Sequence, residues 1–422
     1  MTERNRSPVW HPFTQHALVP PPTKITRAEG AILETANGHQ IIDAISSWWV
    51  VTHGHRHPRI VEAIQDAADT LDQVIFAGYT HEPAEQLAQR LVDLAPEGLA
   101  HVFYSDSGST SVEVAIKMAL GYWAGRGGPR HKVLALEHAY HGDTVGAMSV
   151  GARGLFTDGY APLLFEVIRI PFPALGREQD TYDAIEIACE TGDVAALIVE
   201  PLVLGAGGML PYPPAVLAEM ARIVQGRHGT LLIADEVMTG WGRTGSLFAC
   251  EQADVRPDIL CAAKGLTGGT LPLAVTLATE AVFDAHLSPD RRRTLFHSSS
   301  YTANPIACAA ALANCDVWED EPVLDRIAAL ATLQDQRIAG FRGDADFANV
   351  RRVGTIAALD LVVPDKGYLA EVGLKLLAFF AGRDMLLRPL GNTIYVMPPY
   401  CISAAELDKV YAVIHDAVDA CV

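Results

Sequence analysis

Short apolar runs alternate with helical stretches through the middle of the chain, and this alternation limits the fold more than any other feature. The runs have the pattern of buried β-strands bounded by turns: His101–Tyr104, Lys132–Glu137, Ala195–Glu200, Leu231–Asp235, Ile259–Ala262 and Leu273–Ala278. Helical periodicity precedes or separates them, as in Ile60–Leu71, Pro83–Leu94 and Ser111–Trp123. Strands and helices in alternation predict an α/β fold, with a mainly parallel sheet and helices on both faces.

The length of the chain predicts more than one domain. Its 422 residues, half of them apolar, exceed the usual size of a single compact domain. We predict a large domain over 56–318 and a smaller α/β domain over 319–422. Residues 1–55 have little helical period and a hairpin turn at Asn37-Gly38, so we expect an N-terminal arm that packs with the small domain.

Charge and cysteine usage exclude several classes of partner. The net charge of −18 argues against a nucleic-acid binder, and the basic run Arg291–Arg293 is interpreted as a solvated loop or a local anion contact. No stretch of eighteen apolar residues lacks charge, and the N-terminus has neither a secretory nor a transit pattern, so we expect no membrane partner. Seven scattered cysteines without a CxxC pair favour a reducing cytoplasm.

Two ionisable residues come at the ends of predicted strands. Asp235 ends Leu231–Asp235, and ligands of parallel sheets bind at the carboxyl ends of the strands. A carboxylate there can keep the pyridine nitrogen of pyridoxal phosphate (PLP) protonated, although a lone Asp in this place is more typical of a helix N-cap. Lys264 follows Ile259–Ala262, and desolvation would favour its neutral form, which can hold the PLP aldehyde as a Schiff base. A lone lysine before a turn is more often a surface residue.

Two further segments complete the pattern of a cofactor site. Ser105–Thr110 follows a strand and opens a helix, and its glycine, hydroxyls and free backbone amides suit a phosphate dianion. In His138–Asp143, an aromatic residue close to glycine can lie over a pyridine ring. With Asp235 and Lys264, these segments predict a PLP enzyme in which Lys264 is the catalytic residue.

At these segments the chain resembles a known family, the class III (ω-type) aminotransferases of PLP fold type I. The resemblance extends over essentially the whole chain and is carried by "SDSGSTSVEVAIKMA" (105–119), "LLIADEVMTGWGRTG" (231–245) and "PDILCAAKGLTGG" (257–269). It implies a large PLP-binding domain and a smaller α/β domain. It also implies a homodimer with shared active sites and small-molecule substrates, a keto acid and an amino donor.

Within that class, "VWHPFTQH" (9–16), "SSWWVVTHGHRHP" (46–58) and "RPLGNTIYVMPPY" (388–400) resemble the members that aminate 8-amino-7-oxononanoate in biotin biosynthesis. The resemblance implies that cofactor is bound by Gly108, Ser109, Tyr140, Asp235, Lys264, Ser299 and Ser300. It implies that substrates are bound by Phe13, Trp48, Tyr140, Ser298 and Arg388. Arg388 would hold the carboxylate of the keto acid, and Ser300 would reach the phosphate in the neighbouring subunit.

The chain departs from the family at two places near the expected substrate site. Phe13 stands where the family often has tyrosine, and Ser298–Ser300 stands where it often has Gly-Pro-Thr. Ser300 keeps the hydroxyl needed for phosphate, but the changes at Phe13 and Ser298 leave the amino donor open. S-adenosylmethionine is usual for these enzymes, and some members use lysine.

Other interpretations stay open at this stage. His53, His55 and His57 alternate as zinc ligands can, but ordinary polar contacts are favoured and no metal is predicted. Glu200 is either structural or a partner for an arginine such as Arg388. The rival functions are an aminotransferase for ornithine, 4-aminobutyrate, β-alanine or a diamine, a PLP racemase or aminomutase of the same fold, and a PLP-binding regulator.

Overall fold

The computed structural model of the protein describes residues 7–421. The strands are β1 (Ile25–Glu29), β2 (Ile32–Thr35), β3 (Gln40–Asp43), β4 (Leu99–Ser105), β5 (Lys132–Leu136), β6 (Ile168–Ile170), β7 (Val194–Val199), β8 (Val203–Leu204), β9 (Leu210–Pro211), β10 (Leu231–Asp235), β11 (Ile259–Ala262), β12 (Ala274–Thr279), β13 (Phe347–Val353), β14 (Ile356–Leu361), β15 (Met385–Leu386) and β16 (Thr393–Val396).

The α-helices are α1 (Ser46–Trp49, kinked), α2 (Pro58–Thr70), α3 (Glu82–Leu94), α4 (Gly108–Gly125), α5 (Val145–Val150), α6 (Glu178–Cys189), α7 (Pro214–Ala221), α8 (Glu280–Asp284), α9 (Pro305–Asp320), α10 (Val323–Ile338), α11 (Glu371–Ala381) and α12 (Ala404–Cys421). Short 3₁₀ or π turns cover Asp158–Leu163, Arg222–Arg227, Ala249–Ala253, Lys264–Thr267, Arg291–Arg293 and Ala339–Phe341. Across residues 7–421, no helix is both long and apolar enough to cross a membrane.

A seven-stranded sheet forms the centre of the molecule, in the order β4-β12-β11-β10-β7-β5-β6. Strand β12 pairs antiparallel with both of its neighbours, and the other pairs are parallel. The prediction of a mainly parallel sheet is therefore confirmed. The three-residue strand β6 has no counterpart among the predicted strands, because so short a segment has no readable period.

The central strands are buried on both faces, which explains their continuous apolar sequences. Every residue of β7, β10 and β11 is buried. Helix α4 packs against this sheet and begins with a capping box, in which Ser107 accepts from the Thr110 amide at 3.3 Å and Thr110 accepts from the Ser107 amide at 3.0 Å. The cap fixes the point at which the free amides of the helix face the end of the sheet.

The N-terminal strands share a sheet with a strand from near the C-terminus. The order of this second sheet is β1-β2-β3-β15, and the register places Ile42 beside Met385 and Asp43 beside Leu386. A third, antiparallel sheet has the order β13-β14-β16. The domain boundaries at 55/56 and 318/319 stay predictions, and residues 1–6 and 422 of the predicted arm and small domain lie outside the described part of the chain.

Candidate active site

The carboxyl ends of β4, β10 and β11 meet at a cavity of about 400 Å³. Five residues predicted from the sequence line it together: Gly108, Ser109, Tyr140, Asp235 and Lys264. Parallel strands bring their carboxyl ends to one edge of a sheet, so residues far apart in the chain converge there. The geometry thus supports the expectation that these five residues share one site.

Asp235 is buried at the end of β10 and is held from two sides. Its Oδ1 accepts from the Val237 amide at 3.1 Å, and its Oδ2 lies 2.7 Å from His141 Nδ1. His141 was not among the predicted site residues, although it lies in the segment predicted to cover the ring. Its Nε2 is buried and has no hydrogen-bond partner among residues 7–421. His141 therefore fixes the orientation of the carboxylate that faces the cavity.

Lys264 combines a strained backbone with a desolvated amine. Its φ of 48° lies in the left-handed region, where a side chain costs free energy unless the surroundings impose the conformation. Burial lowers the pKa of the Lys264 amine, while the carboxylates of Asp235 and Glu200 partly oppose this shift. Its Nζ lies 5.5 Å from the ring centre of Trp49. Burial thus shifts the amine toward its neutral, nucleophilic form, relative to a lysine in water.

The N-terminus of α4 and the segment around Tyr140 approach each other closely at Gly142. With a φ of 129°, Gly142 has a conformation that other residues rarely adopt, and a Cβ there would lie 2.1 Å from Ser109 Oγ. The Asp143 amide donates to the same Oγ at 3.1 Å. Glycine at 142 is therefore required for the hydroxyl of Ser109 to remain at the helix N-terminus, where an anion would bind.

A second cavity, of about 300 Å³, opens from Lys264 and contains the predicted substrate residues Phe13, Trp48 and Arg388. The Arg388 guanidinium donates to the Phe13 carbonyl at 3.0 Å and lies 5.3 Å from the ring centre of Trp48. Tyr140 lines this cavity as well as the first. We call it the substrate cavity, after the predicted substrate residues in its wall.

The conformation of the Trp48-Trp49 segment depends on a buried carboxylate. Asp43 accepts from the Ser47 amide at 2.8 Å and lies 2.8 Å from His55 Nε2. Ser46, Ser47 and Trp49 all have positive φ, so the chain turns sharply here and both tryptophans line the substrate cavity. Trp49 was not one of the predicted site residues. Its Nε1 donates to the Tyr395 hydroxyl at 3.0 Å.

Among the described residues 7–421, Ser298–Ser300 does not line either of these two cavities. Ser298 and Ser300 are exposed. Ser299 donates from its hydroxyl to Asp106, two residues before the helix N-terminus. The structure thus places the serines beside the N-terminus of α4, at the end of the first cavity where phosphate is expected, but outside the cavity.

The other polar residues considered in the sequence have separate partners. The Nε2 atoms of His53, His55 and His57 each lie within hydrogen-bonding distance of a different residue: Asn314, Asp43 and Glu321. Burial lowers the pKa of His53 to about 4. These are the polar contacts favoured from the sequence.

Glu200 is buried and binds backbone rather than a side chain. Its two oxygens accept from the amides of Tyr140 and Gly205, each at 2.9 Å. Burial raises the pKa of the Glu200 carboxyl to about 7. Of the two roles left open for Glu200, these contacts support the structural one, because the carboxylate fastens the Tyr140 segment to the loop after β7.

Glu236 is also buried, and we expect it to make stability depend on pH. It accepts from the Cys250 amide at 2.8 Å and from the Thr239 hydroxyl at 2.5 Å, and burial raises its pKa from 4.5 to about 7. Between these values the folded state binds the additional proton, so the free energy of unfolding falls as the pH rises through this window. Glu236→Gln removes that loss. Between pH 4.5 and pH 7, the free energy of unfolding of the variant should therefore rise by up to about 3 kcal/mol relative to that of the wild type.

Urea unfolding at pH 5 and pH 8 measures this difference. Glu62→Gln, on the exposed side of α2, serves as the control, and its unfolding free energy should follow the wild type at both pH values. Equal pH dependence in Glu236→Gln and the wild type would contradict the assignment.

Comparison with known proteins identifies the family to which this geometry belongs. The model of the family "Aminotransferase class-III" matches residues 13–418. The chain belongs to the class III aminotransferases. This class III aminotransferase is 49% identical to a protein from Synechococcus elongatus named adenosylmethionine-8-amino-7-oxononanoate aminotransferase, over 97% of this chain and 98% of that protein. A protein of the same name from Aquifex aeolicus is 39% identical over 95% of this chain and 93% of its own length.

Solved structures of the family share the fold of this class III aminotransferase. An adenosylmethionine-8-amino-7-oxononanoate aminotransferase from Methanocaldococcus jannaschii superimposes with a TM-score of 0.93, at 34% identity, over 97% of this chain and 96% of that chain. An amine transaminase from an uncultivated Pseudomonas species, solved with PLP bound, gives a TM-score of 0.92 at 31% identity over the whole of both chains. The fold is PLP fold type I, and the cofactor is PLP.

The first cavity fits that cofactor by its chemistry. It offers the free amides of α4 for a phosphate, the Asp235 carboxylate for a pyridine nitrogen and the buried amine of Lys264 for an aldehyde. Position 108 has no space for a larger side chain, since a Cβ there would lie 2.6 Å from Val237 Cγ1. When bound, PLP supplies a protonated ring that accepts electrons from the substrate carbon.

Proposed function

We propose that this aminotransferase forms 7,8-diaminononanoate from 8-amino-7-oxononanoate in biotin biosynthesis, with S-adenosylmethionine as the amino donor. The single observation that carries the proposal is the substrate cavity, which has the Arg388 guanidinium and Trp48 in its wall together with Lys264. A long keto acid with a terminal carboxylate matches this combination. The names of the relatives from Synechococcus elongatus and Aquifex aeolicus support the same substrate.

Each side chain in the proposed site has a defined task. Arg388 binds the carboxylate of the keto acid, since a planar guanidinium can form two parallel hydrogen bonds with it. Trp48 and Trp49 enclose the aliphatic chain and exclude water. Tyr140 stacks on the cofactor and contacts the substrate.

Lys264 acts as the base and acid of both half-reactions. Its Nζ takes a proton from the α-carbon of the donor in the first and gives a proton to C7 of the keto acid in the second. Asp235 keeps the cofactor nitrogen protonated throughout, and the contact with His141 holds the carboxylate in place. Gly108 and Ser109 bind the phosphate.

We also propose a cytoplasmic homodimer in which Ser299 and Ser300 serve the partner subunit's cofactor and Ser298 borders its substrate site. The exposure of Ser298 and Ser300 and the contact of Ser299 with Asp106 support this arrangement, because the serines lie beside a phosphate-binding end without entering it. The division into 1–55, 56–318 and 319–422 belongs to the same proposal. The β3–β15 pairing supports an arm that packs with the small domain.

Replacing Arg388 by alanine should raise the KM for the keto acid about 10- to 100-fold, because a charged pair of hydrogen bonds is lost. PLP should stay bound, since Arg388 does not line the first cavity. Steady-state kinetics with varied keto acid measures the effect. Arg383→Ala is the matched control, because Arg383 pairs with Asp416 at the surface. An unchanged KM in Arg388→Ala would show that Arg388 does not bind the carboxylate of the keto acid.

A half-reaction screen tests the proposed function as a whole. S-adenosylmethionine, lysine, ornithine and alanine are added separately to the PLP form, and conversion to pyridoxamine phosphate is followed by absorbance. We expect conversion with S-adenosylmethionine, and return to the PLP form when 8-amino-7-oxononanoate is added. Conversion by ornithine together with failure of the keto acid to reverse it would indicate another ω-aminotransferase. Racemisation without net amino exchange would exclude transamination.

The same acceptor with lysine as donor is the second candidate. Phe13 keeps this alternative open, because its ring lies in the wall of the substrate cavity without the hydroxyl that the family often has there. Conversion by lysine alone in the screen would select this alternative.

A further inference from the structure

A third cavity adjoins the substrate cavity and has no role in the reaction described so far. Its volume is about 370 Å³. The two cavities have five lining residues in common: Tyr140, Asp143, Phe156, Ala206 and Tyr368. We call this space the side cavity. Because these residues line both spaces, the side cavity lies directly beside the space in front of Lys264.

The shared boundary consists mainly of aromatic rings. Phe156 and Tyr368 are 4.6 Å apart between ring centres at an angle of 70°, and Phe13 lies 5.8 Å from Phe156 on the substrate side. Phe156 is 37% exposed, so part of its ring is free to contact a ligand. Flat heteroaromatic bases stack on such rings, and cations bind their faces.

The remaining walls are partly polar and carry charges of both signs. Arg153 and His138 contribute basic groups, and Met148 and Leu155 contribute apolar surface. The carboxylate of Asp143 lies at the boundary with the substrate cavity. A ligand that spans the boundary would therefore place a positive centre near Asp143 and a polar, flat group farther in.

The two proposed substrates differ in whether they carry a positive centre and a flat heteroaromatic group. Both react at Lys264, but the donor carries a sulfonium and a nucleoside that the keto acid lacks. The substrate cavity, at about 300 Å³, is at the lower limit of the roughly 300–1,000 Å³ common for small-molecule sites. We propose that the side cavity binds the nucleoside of the donor, with the base against Phe156 and Tyr368 and the sulfonium near Asp143. This inference rests on the proposed function and adds a donor-specific subsite to it.

A direct test uses 5′-methylthioadenosine, which has the nucleoside but no transferable amine. Isothermal titration of the holoenzyme should detect binding in the wild type. Ala152→Phe places a ring at a position that lines the side cavity but not the substrate cavity, and it should weaken binding at least tenfold. Ala412→Phe, on the exposed side of α12, is the matched control and should bind as the wild type does.

Kinetics of the separate half-reactions gives a second readout. In Ala152→Phe, kcat/KM for S-adenosylmethionine should fall at least tenfold more than kcat/KM for the keto acid. If Ala152→Phe does not fold, Tyr368→Leu replaces it, and loss of the stacking ring should weaken 5′-methylthioadenosine roughly fivefold or more. No binding of 5′-methylthioadenosine to the wild type, or an equal loss in both half-reactions, would overturn the proposal.

The failure of this inference differs from the failure of the proposed function. If the keto acid is aminated from lysine but not from S-adenosylmethionine, the donor subsite is wrong and the acceptor assignment stands. If no donor leads to amination of the keto acid, the proposed function is wrong. The binding of 5′-methylthioadenosine is measured independently of either reaction.

Discussion

Replacement of Lys264 by alanine should reduce transamination by at least about 10⁴-fold, because in the proposed mechanism this one side chain supplies both the attachment of PLP and the proton transfers. Its buried amine, with a pKa lowered by burial, has no substitute in the cavity among the described residues. The variant should still bind PLP through the N-terminus of α4 and Asp235. The absorption band of covalently attached cofactor, near the edge of the visible range, should disappear.

The measurement combines activity in both half-reactions with an absorption spectrum of the purified holoenzyme. Lys132→Ala is the control, since Lys132 forms a surface ion pair with Asp193 at 2.9 Å. Full activity in Lys264→Ala would refute the assignment of the catalytic residue. Loss of activity with an unchanged spectrum would assign cofactor attachment to another lysine.

Asp235→Ala should lower kcat by about 10²–10³-fold, which is the usual effect of removing one preorganised electrostatic partner from an active site. Without the carboxylate, nothing holds the positive charge on the cofactor nitrogen, and His141 loses its partner at 2.7 Å. Both half-reactions should slow, because both need the ring as an electron acceptor.

A chemical rescue separates this role from simple damage to the fold. A cofactor analogue methylated at the ring nitrogen keeps its positive charge without a carboxylate, so it should restore part of the activity of Asp235→Ala. Asp93→Asn, an exposed residue of α3, is the control and should need no rescue. Asp235→Ala with wild-type kcat, or with no response to the analogue, would argue against the electrostatic role.

The sequence predicted the residues that come at strand ends. Asp235 and Lys264 follow continuous apolar runs, and parallel strands place such positions at one edge of the sheet whatever their separation in the chain. The central strands were predicted within one or two residues for the same reason. Strands β13 and β15 were harder, since β13 is half-exposed and polar and β15 has two residues.

The remaining parts of the site depend on contacts that have no local pattern. His141 and Asp235 are 94 residues apart in the chain, and no periodicity in the sequence predicts their contact. Phe156 and Tyr368 lie in loops and become neighbours only in the folded chain. The direction of Trp49 follows from the turn imposed by Asp43, which a sequence of two adjacent tryptophans does not reveal.

The pairing of β3 with β15 has a consequence for the length of substrate that the enzyme can accept. Trp48 follows the end of β3 by five residues and Arg388 follows the end of β15 by two, so one sheet carries both walls of the substrate cavity. Lys264 lies two residues after the end of β11, which is a strand of a different sheet. If Arg388 binds the carboxylate as proposed, the distance from its guanidinium to the Lys264 amine sets the length of keto acid that can bind. Sliding one sheet against the other would select a longer or shorter acid while the spacing between Trp48 and Arg388 stayed fixed.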